Sequence, residues 1–292
     1  MYRFEYYRPT SVAEAVSLLR EKGEGGKILA GGTDLIPQMK ERGRHPKYIV
    51  SLSLVNELRG ISEDGGGLKI GAGTLMAHVA DNHVVKERFN VLAQGAELIG
   101  SFQTMNLATV GGNVCNAAPS ADAVPAFIVM DAEVTITGPD GSRTMPLWQV
   151  FEGPGRTALK SDEILTSVSI PTPASRSAGI YIRHCPRKEL DIAIAGVGSY
   201  IGLDDNGSIN HARVCLCAVA PVPLRATKTE EFLVGKKPSE EVYEQAGQIA
   251  AEEARPITDM RGSAEFRRVL VKVLTIRTLN QAVDKIGLKT TR

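Results

Sequence analysis

One segment, residues 109–122, constrains the fold most strongly, because its polarity is unusual for the interior of a globular chain. Gly111 and Gly112 remove two adjacent side chains, so the backbone can turn sharply there and approach a bulky group. The other short polar residues of the segment are Asn113, Asn116, Ser120 and Asp122. Such a run predicts a surface of exposed backbone N–H groups with small amide and hydroxyl side chains. That surface suits a phosphate-bearing, polyhydroxylated ligand, because exposed amides form anion-binding nests.

An apolar run at residues 123–130 follows directly and predicts a helix. Asp122 is placed to cap the N-terminus of this helix, and Pro125 falls in its first turn, where proline is tolerated. The polar segment is therefore expected to lead straight into a buried helix.

A second glycine pair lies upstream, between a predicted buried strand at residues 27–30 and a helical pattern through Leu35, Ile36 and Met39. Strand, glycine turn and helix start together present backbone amides to a pyrophosphate. A tight turn that needs a positive φ would explain either glycine pair alone. Two such pairs in one chain without a Rossmann fingerprint favour a nucleotide-type ligand.

The two glycine segments resemble the flavin-binding signatures of the FAD subunits of molybdenum hydroxylases. The matching stretches are Ala30-Gly31-Gly32-Thr33-Asp34-Leu35 and Thr109-Val110-Gly111-Gly112-Asn113 with Ser120 and Asp122. That family includes the medium subunit of carbon monoxide dehydrogenase and the flavin segment of xanthine dehydrogenase. The resemblance runs from Phe4 to about Ile286. It implies a two-subdomain FAD-binding domain of the vanillyl-alcohol-oxidase (PCMH) type at residues 1–174, divided into about 1–57 and 58–174, and a smaller α+β domain at 178–286.

The resemblance also implies a set of cofactor-binding residues. They are Ile28, Leu29, Ala30, Gly31, Gly32, Thr33, Asp34, Leu35, Ile99, Thr109, Val110, Gly111, Gly112, Asn113, Ser120, Asp122, Leu165 and Arg183. Ile99 and Leu165 match apolar positions that line the flavin, and Asp122 is expected to accept hydrogen bonds from ribityl or adjacent hydroxyls. Arg183 matches a basic position beside the flavin, although its basic neighbourhood is equally typical of a solvated strand end.

The remaining pattern predicts an α+β fold. Strands are expected at residues 68–72, 132–137 and 164–170, with Thr74 capping a helix at 75–81 and a hairpin turn at 138–141. Prolines and small polar residues at 171–175 mark the predicted domain boundary. Beyond it, a three-stranded antiparallel sheet is predicted at 179–183, 193–203 and 209–219, followed by helices at 228–233, 239–254 and 263–286.

The composition of the chain limits the kinds of partner that the protein is expected to bind. The chain has 292 residues, 43% of them hydrophobic, and a formal net charge of +1, so no field attracts nucleic acid or an anionic membrane. No targeting pattern and no apolar run of membrane-spanning length is visible, which predicts a cytoplasmic protein. The cysteines, Cys115, Cys185, Cys215 and Cys217, lack the spacing of zinc or iron–sulfur ligands, so no metal site is predicted.

The expected function follows from the resemblance and from the lack of an evident substrate acid–base pair. Electrons would come from a molybdenum centre in a large subunit, through two [2Fe–2S] clusters in a small subunit, to FAD and then to an external acceptor such as NAD, oxygen or a quinone. The protein would thus be the FAD-binding electron-transfer subunit of a heteromeric oxidoreductase. A self-sufficient flavin oxidase or reductase and a nucleotide-binding module without redox turnover are the alternatives.

Residues 98–106 are expected to contact the iron–sulfur subunit, because they run into the second glycine segment and combine Phe102 and Met105 with small polar residues. The alternative is that both side chains fill the core beneath that segment. An open apolar patch would distinguish an interface from a core.

Overall fold

The computed structural model describes residues 3–41, 43–187 and 190–287. Within these residues the strands form a three-stranded, a five-stranded and a four-stranded sheet and a two-stranded hairpin. Helices cover the sheets, so the α+β class expected from the sequence is confirmed. None of the helices in the described ranges is long and apolar enough to cross a membrane.

The first sheet is small and parallel. Its region contains β1 (Glu5–Tyr7), α1 (Val12–Lys22), β2 (Gly26–Leu29), α2 (Leu35–Glu41) and β3 (Tyr48–Ser51). The strand order is β1-β3-β2, with both pairings parallel. Ser11 begins α1 by accepting a hydrogen bond from the Glu14 amide, and the spacing of Ser11 and Glu14 is that of a capping box. The strand predicted as buried is β2, which lies at the sheet edge and is only half-buried, so that part of the prediction was wrong.

The second sheet carries most of the N-terminal half of the chain. Its region contains β4 (Ile61–Asp64), β5 (Gly67–Gly71), α3 (Met76–Asp81), α4 (His83–Arg88), α5 (Asn90–Glu97), α6 (Phe102–Met105), α7 (Val110–Asn116), α8 (Ala123–Val129), β6 (Glu133–Gly138), β7 (Gly141–Pro146), β8 (Phe151–Gly153), β9 (Arg156–Thr157) and β10 (Ile164–Ile170). The sheet order is β4-β5-β10-β6-β7. The predicted hairpin joins β6 to β7. Thr74 does not cap α3: its hydroxyl bonds the backbone of Gly60, and Leu75 is the N-cap.

The C-terminal region is an antiparallel sheet followed by helices. It contains β11 (Ser177–His184), β12 (Ala195–Leu203), β13 (Ile209–Cys217), β14 (Leu224–Arg225), α9 (Thr227–Leu233), α10 (Glu240–Glu253) and α11 (Ala264–Ile286). The order is β11-β12-β13-β14. The three predicted strands are present, and β14 adds a fourth. Sequence periodicity missed β14 because two residues are too few to show an alternation.

The C-terminal sheet is covered on both faces. The apolar residues of α10 and α11 pack with one set of its side chains, including Val197, Ile201 and Val214. The other face packs against α8 of the N-terminal half. A Cβ at Gly198 would stand 3.4 Å from the carbonyl oxygen of Pro125, so the glycine lets the helix approach the strand closely. This close packing brings the start of α8 against the C-terminal sheet.

Candidate functional site

The two glycines of the second segment lie in a helix rather than in a loop. Thr109 is the N-cap of α7, and its hydroxyl accepts a hydrogen bond from the Gly112 amide at 3.1 Å. Gly111 is needed for packing, because a Cβ there would lie 2.7 Å from the Cβ of Ala72 beside β5. The predicted sharp turn at these glycines was therefore wrong. Their small size serves close contact between a helix and a strand end.

The amides of α7 are also not the exposed nest that the sequence predicted. The N–H of Val110 donates to the Thr74 carbonyl at 3.0 Å, and the N–H of Gly111 donates to the Ala72 carbonyl at 2.7 Å. The Gly112 amide donates to the Thr109 hydroxyl. Because protein acceptors already occupy these donors, a phosphate group must find its amides elsewhere.

The first glycine segment has such amides. The N–H groups of Gly31, Gly32 and Thr33 make no hydrogen bond to any other residue within the described part of the chain. Gly32 has a φ of 76°, a conformation that glycine adopts without strain. Every residue from 28 to 33 is half-buried, although the segment joins a strand to a helix. The first segment therefore offers a partly sheltered row of free donors.

The structure brings the two segments into direct contact. A Cβ at Gly31 would lie 1.9 Å from the carbonyl oxygen of Leu107, two residues before Thr109. A hydrogen bond of 3.4 Å from the Gln38 amide to Asn116 joins α2 to α7. A substitution such as Gly31→Val would consequently disturb this backbone contact before it met any ligand.

Two side chains of the second segment stay unsatisfied. The Oδ1 atom of Asn113 is buried and has no hydrogen-bond partner among the described residues. The half-buried hydroxyl of Ser120 also bonds to none of them. A buried polar atom without a partner costs free energy, so such groups usually serve a ligand or water. The site thus presents an acceptor and a hydroxyl beside the donors of the first segment.

Asp122 does not cap α8, contrary to the prediction, since its side chain makes no capping bond. It is buried instead against β11. Its Oδ1 accepts a hydrogen bond of 2.8 Å from the Tyr181 hydroxyl, and its Oδ2 pairs with the Arg183 guanidinium. Burial raises the pKa of Asp122 to about 6, and Arg183 and Tyr181 only partly offset that rise.

The remaining predicted cofactor-binding residues differ in how exposed they are. Val110 and Leu165 lie in the core, so they support the site from beneath. Ile99 is half-buried and packs on the same core, while Asp34 is exposed and Leu35 is half-buried at the start of α2. Arg183 is not at a solvated strand end. Its side chain is only 5% exposed and is engaged with Asp122.

Comparison with known proteins identifies the family. A model of the FAD binding domain in molybdopterin dehydrogenase matches residues 2–173, and a model of the CO dehydrogenase flavoprotein C-terminal domain matches residues 180–282. The chain belongs to this family of FAD-binding subunits. It is an oxidoreductase subunit whose cofactor is FAD, as the sequence resemblance implied.

Individual relatives of the FAD-subunit family align over nearly the whole chain. The carbon monoxide dehydrogenase medium chain of Hydrogenophaga pseudoflava is 34% identical over 280 residues, which is 96% of this chain and 97% of the relative. The xanthine dehydrogenase FAD-binding subunit of Escherichia coli O157:H7 is 30% identical over 284 residues, 97% of each chain. The solved structure of the Hydrogenophaga pseudoflava carbon monoxide dehydrogenase that lacks the Mo-pyranopterin moiety matches with a TM-score of 0.94 at 33% identity, covering 97% of this chain and 98% of that one.

The residues present fit FAD. Its pyrophosphate is an acceptor, which suits the free amides of Gly31, Gly32 and Thr33. Its ribityl hydroxyls and adenine amine are donors, which suits the unpartnered Oδ1 of Asn113. Donors and acceptors of the FAD subunit therefore complement those of the cofactor. Among the described residues, no group of three His, Cys, Asp or Glu could hold a metal ion.

Sequence reasoning included Arg183 of β11 but missed two other C-terminal residues that contact the second segment, Tyr181 and Ala218. Tyr181 bonds Asp122, and the amide of Ala218 donates to the Pro119 carbonyl at 2.8 Å. The available signal was the two-residue spacing of Tyr181 and Arg183, which puts both side chains on one face of a strand. Nothing in the sequence indicated that this face would meet Asp122.

Proposed function

We propose that this protein is the electron-transfer subunit of a heteromeric molybdenum hydroxylase. It would receive electrons from the [2Fe–2S] clusters of a small subunit, which are reduced by a molybdenum centre in a large subunit, and deliver them to an external acceptor. Bound FAD would supply the capacity to take up electrons singly and to release them in pairs. The chain's own residues would bind and orient the cofactor and meet the partner subunits.

The observation that carries this proposal is a set of four exposed apolar side chains on segments that border the site. Phe102 is 70% exposed and Leu107 is 57% exposed, and the backbone of Leu107 contacts Gly31. Leu190 and Ile192 are exposed as well, and the Leu190 amide donates to the Gly100 carbonyl at 3.3 Å. We call these four residues the rim patch. Clustered apolar side chains on a surface are typical of protein contacts.

The rim patch refines the prediction for residues 98–106. Phe102 points to solvent, as an interface requires, whereas Met105 is half-buried and packs against the core. The two residues predicted to act together therefore differ. Phe102 supports the contact with a partner, and Met105 supports the fold beneath it.

The polar groups of the site favour this role over a self-sufficient oxidase. Asp122 and Arg183 are buried charged side chains at the second segment, and they are paired with each other. A substrate base would have to be free to move a proton. The arrangement supports binding and positioning of a cofactor rather than acid–base chemistry on a substrate.

Replacement of Phe102 and Leu107 by serine tests the proposal. We expect both variants to keep stoichiometric FAD and normal reduction by dithionite, and to lose about tenfold or more in affinity for the partner subunits, because exposed aromatic and aliphatic anchors dominate such contacts. The measurement is the rate of flavin bleaching when the assembled complex receives its substrate. Offering NAD, oxygen and a quinone separately would then identify the acceptor.

Val234→Ser is the matched control, since Val234 is comparably exposed on the C-terminal domain outside the rim patch. It should leave electron transfer unchanged. A Phe102→Ser variant that loses stability but not partner-dependent reduction would make Phe102 a structural residue. A wild-type protein without a flavin spectrum would contradict redox function altogether, and turnover without partner subunits would favour the self-sufficient enzyme.

A further inference from the structure

Two strands of the C-terminal domain hold residues 119–122, the end of the second segment. Directly after β13, the Ala218 amide donates to the Pro119 carbonyl at 2.8 Å. The thiol of Cys217, the last residue of β13, lies 3.6 Å from the same oxygen and 3.8 Å from the Ala121 carbonyl. From β11, Tyr181 and Arg183 each engage one oxygen of Asp122. The segment is thus bound at its first residue, its third and its last.

The residue between those contacts is Ser120, whose hydroxyl has no partner in the described chain. Asp122 also retains acceptor capacity. Each carboxylate oxygen can accept more than one hydrogen bond, and Tyr181 and Arg183 use one on each. A fixed backbone whose side chains can still form hydrogen bonds is typical of a binding site that is preorganised for its ligand.

We propose that Tyr181 and Arg183 are positioning residues for FAD, which act by fixing the Asp122 carboxylate and the adjacent Ser120, so that the C-terminal domain forms part of the flavin site. This inference rests on the proposed FAD-dependent function. Neither residue needs to touch the cofactor. Their effect on FAD passes through Asp122, in contrast to the sequence expectation that Arg183 itself lies beside the flavin.

The charges around Asp122 give the proposal a pH dependence. The ionisable groups that face it are Tyr181 and Arg183 from β11 and Cys217 from β13. Burial raises the pKa values of Tyr181 and Cys217 above their ordinary ranges, so both stay neutral near pH 7. Arg183 is therefore the cation that keeps the Asp122 carboxylate ionised and able to accept from a hydroxyl.

The test is the dissociation constant of FAD, followed by quenching of flavin fluorescence in the isolated wild-type chain and in variants. With Asp122 titrating at a pKa of about 6, wild-type binding should weaken about tenfold at about pH 5 relative to about pH 8. Arg183→Gln should weaken binding at neutral pH and move the midpoint to higher pH, and Arg183→Lys should restore part of the affinity. Tyr181→Phe should weaken binding by roughly fivefold.

Arg213→Gln is the matched control. Arg213 also joins the C-terminal sheet to an aspartate of the N-terminal half, Asp131, at the other end of α8. It should leave FAD affinity and its pH profile unchanged. If Arg183→Gln does not fold, the FAD affinity of Tyr181→Phe alone tests the proposal.

Variants of Tyr181 and Arg183 with wild-type FAD affinity and pH profile would overturn the inference, even if they unfold more easily. A comparable loss in Arg213→Gln would also overturn it, because the effect would then be general to domain packing. A wild-type chain that binds no FAD would instead overturn the proposed function itself.

Discussion

The two ends of α8 are built from the same chemistry in different surroundings. Asp122 at the N-terminal end pairs with Arg183, and the two side chains are 9% and 5% exposed. Asp131, just beyond the C-terminal end, pairs with Arg213, and those side chains are 33% and 24% exposed. Each aspartate thus meets an arginine of the C-terminal sheet. One pair is buried beside the second glycine segment, and the other is reached by water.

Because the two ion pairs differ in burial, we expect them to have different roles. Taking an ion pair out of water costs several kcal/mol of desolvation, so a buried pair is a weak source of net stability but a firm constraint on geometry. A half-exposed pair costs less to form and contributes little. The buried pair lies at the proposed cofactor site, where fixed groups would orient the ligand. The more exposed pair, Asp131 with Arg213, lies where the N-terminal half packs against the C-terminal sheet, away from the second glycine segment.

The largest contrast should appear when each arginine is removed. Arg183→Gln leaves an unpaired buried carboxylate and is expected to reduce the free energy of unfolding by roughly 3–5 kcal/mol. Arg213→Gln should cost less than about 1 kcal/mol, because water can solvate Asp131. Urea denaturation of the isolated chain without FAD measures both. Equal losses at the two ends would show that burial does not distinguish them.

The pH dependence of the free energy of unfolding should show the contribution of Asp122, the aspartate at the buried end of α8. The pKa of Asp122 rises from 3.8 to about 6 on folding, so the folded chain binds more protons than the unfolded chain between these values. Stability from this group is therefore full below about pH 4 and is lost as the pH rises through about 6, by about 3 kcal/mol in total.

The comparison of wild type with Asp122→Asn isolates that contribution, since carboxylates such as Glu163 and Asp259 have lowered pKa values and act in the opposite direction. The difference between the two unfolding free energies, measured from about pH 4 to about pH 7, should change with the predicted sign. Asp131→Asn serves as the control from the hydrated end. A flat difference for Asp122→Asn would mean that its carboxyl has the same pKa in both states.

A smaller effect is expected from the tyrosines at the two ends. Tyr181→Phe removes a hydrogen bond to a charged group and should cost roughly 1.5–3 kcal/mol. Tyr200, whose ring contacts His211 near the hydrated end, bonds the neutral Ser177 hydroxyl and Ala174 amide. Tyr200→Phe should cost roughly 0.5–1.5 kcal/mol. Thermal unfolding at neutral pH ranks the two, and the reverse order would contradict the role of the Asp122 charge.

What the sequence could predict here was local. Two glycine segments, their small polar neighbours and the start of α1 all follow from short-range backbone preferences, and the family resemblance supplied the cofactor. The partner of Asp122 could not be predicted in this way, because Arg183 is distant in sequence and meets it only after the C-terminal sheet packs on α8. The same holds for Gly111, whose neighbour Ala72 follows β5 and is distant in sequence. The limits of the domains at residues 174 and 178 stay predictions.

The smallest effect should come from His211 at the hydrated end, and it should have the opposite sign to that of Asp122. Burial lowers the pKa of His211 below its usual 6.5, with a further contribution from Arg213, while Asp131 at 3.5 Å acts in the other direction. The folded chain then binds fewer protons than the unfolded chain just below pH 6.5, so stability should fall as the pH drops through that window. His211→Gln should remove this decline. The measurement is the melting temperature of wild type and variant between about pH 5.5 and about pH 7.5. A decline that survives the substitution would assign it to another group, whereas its loss would show that one helix has ends whose stabilities respond to protons in opposite directions.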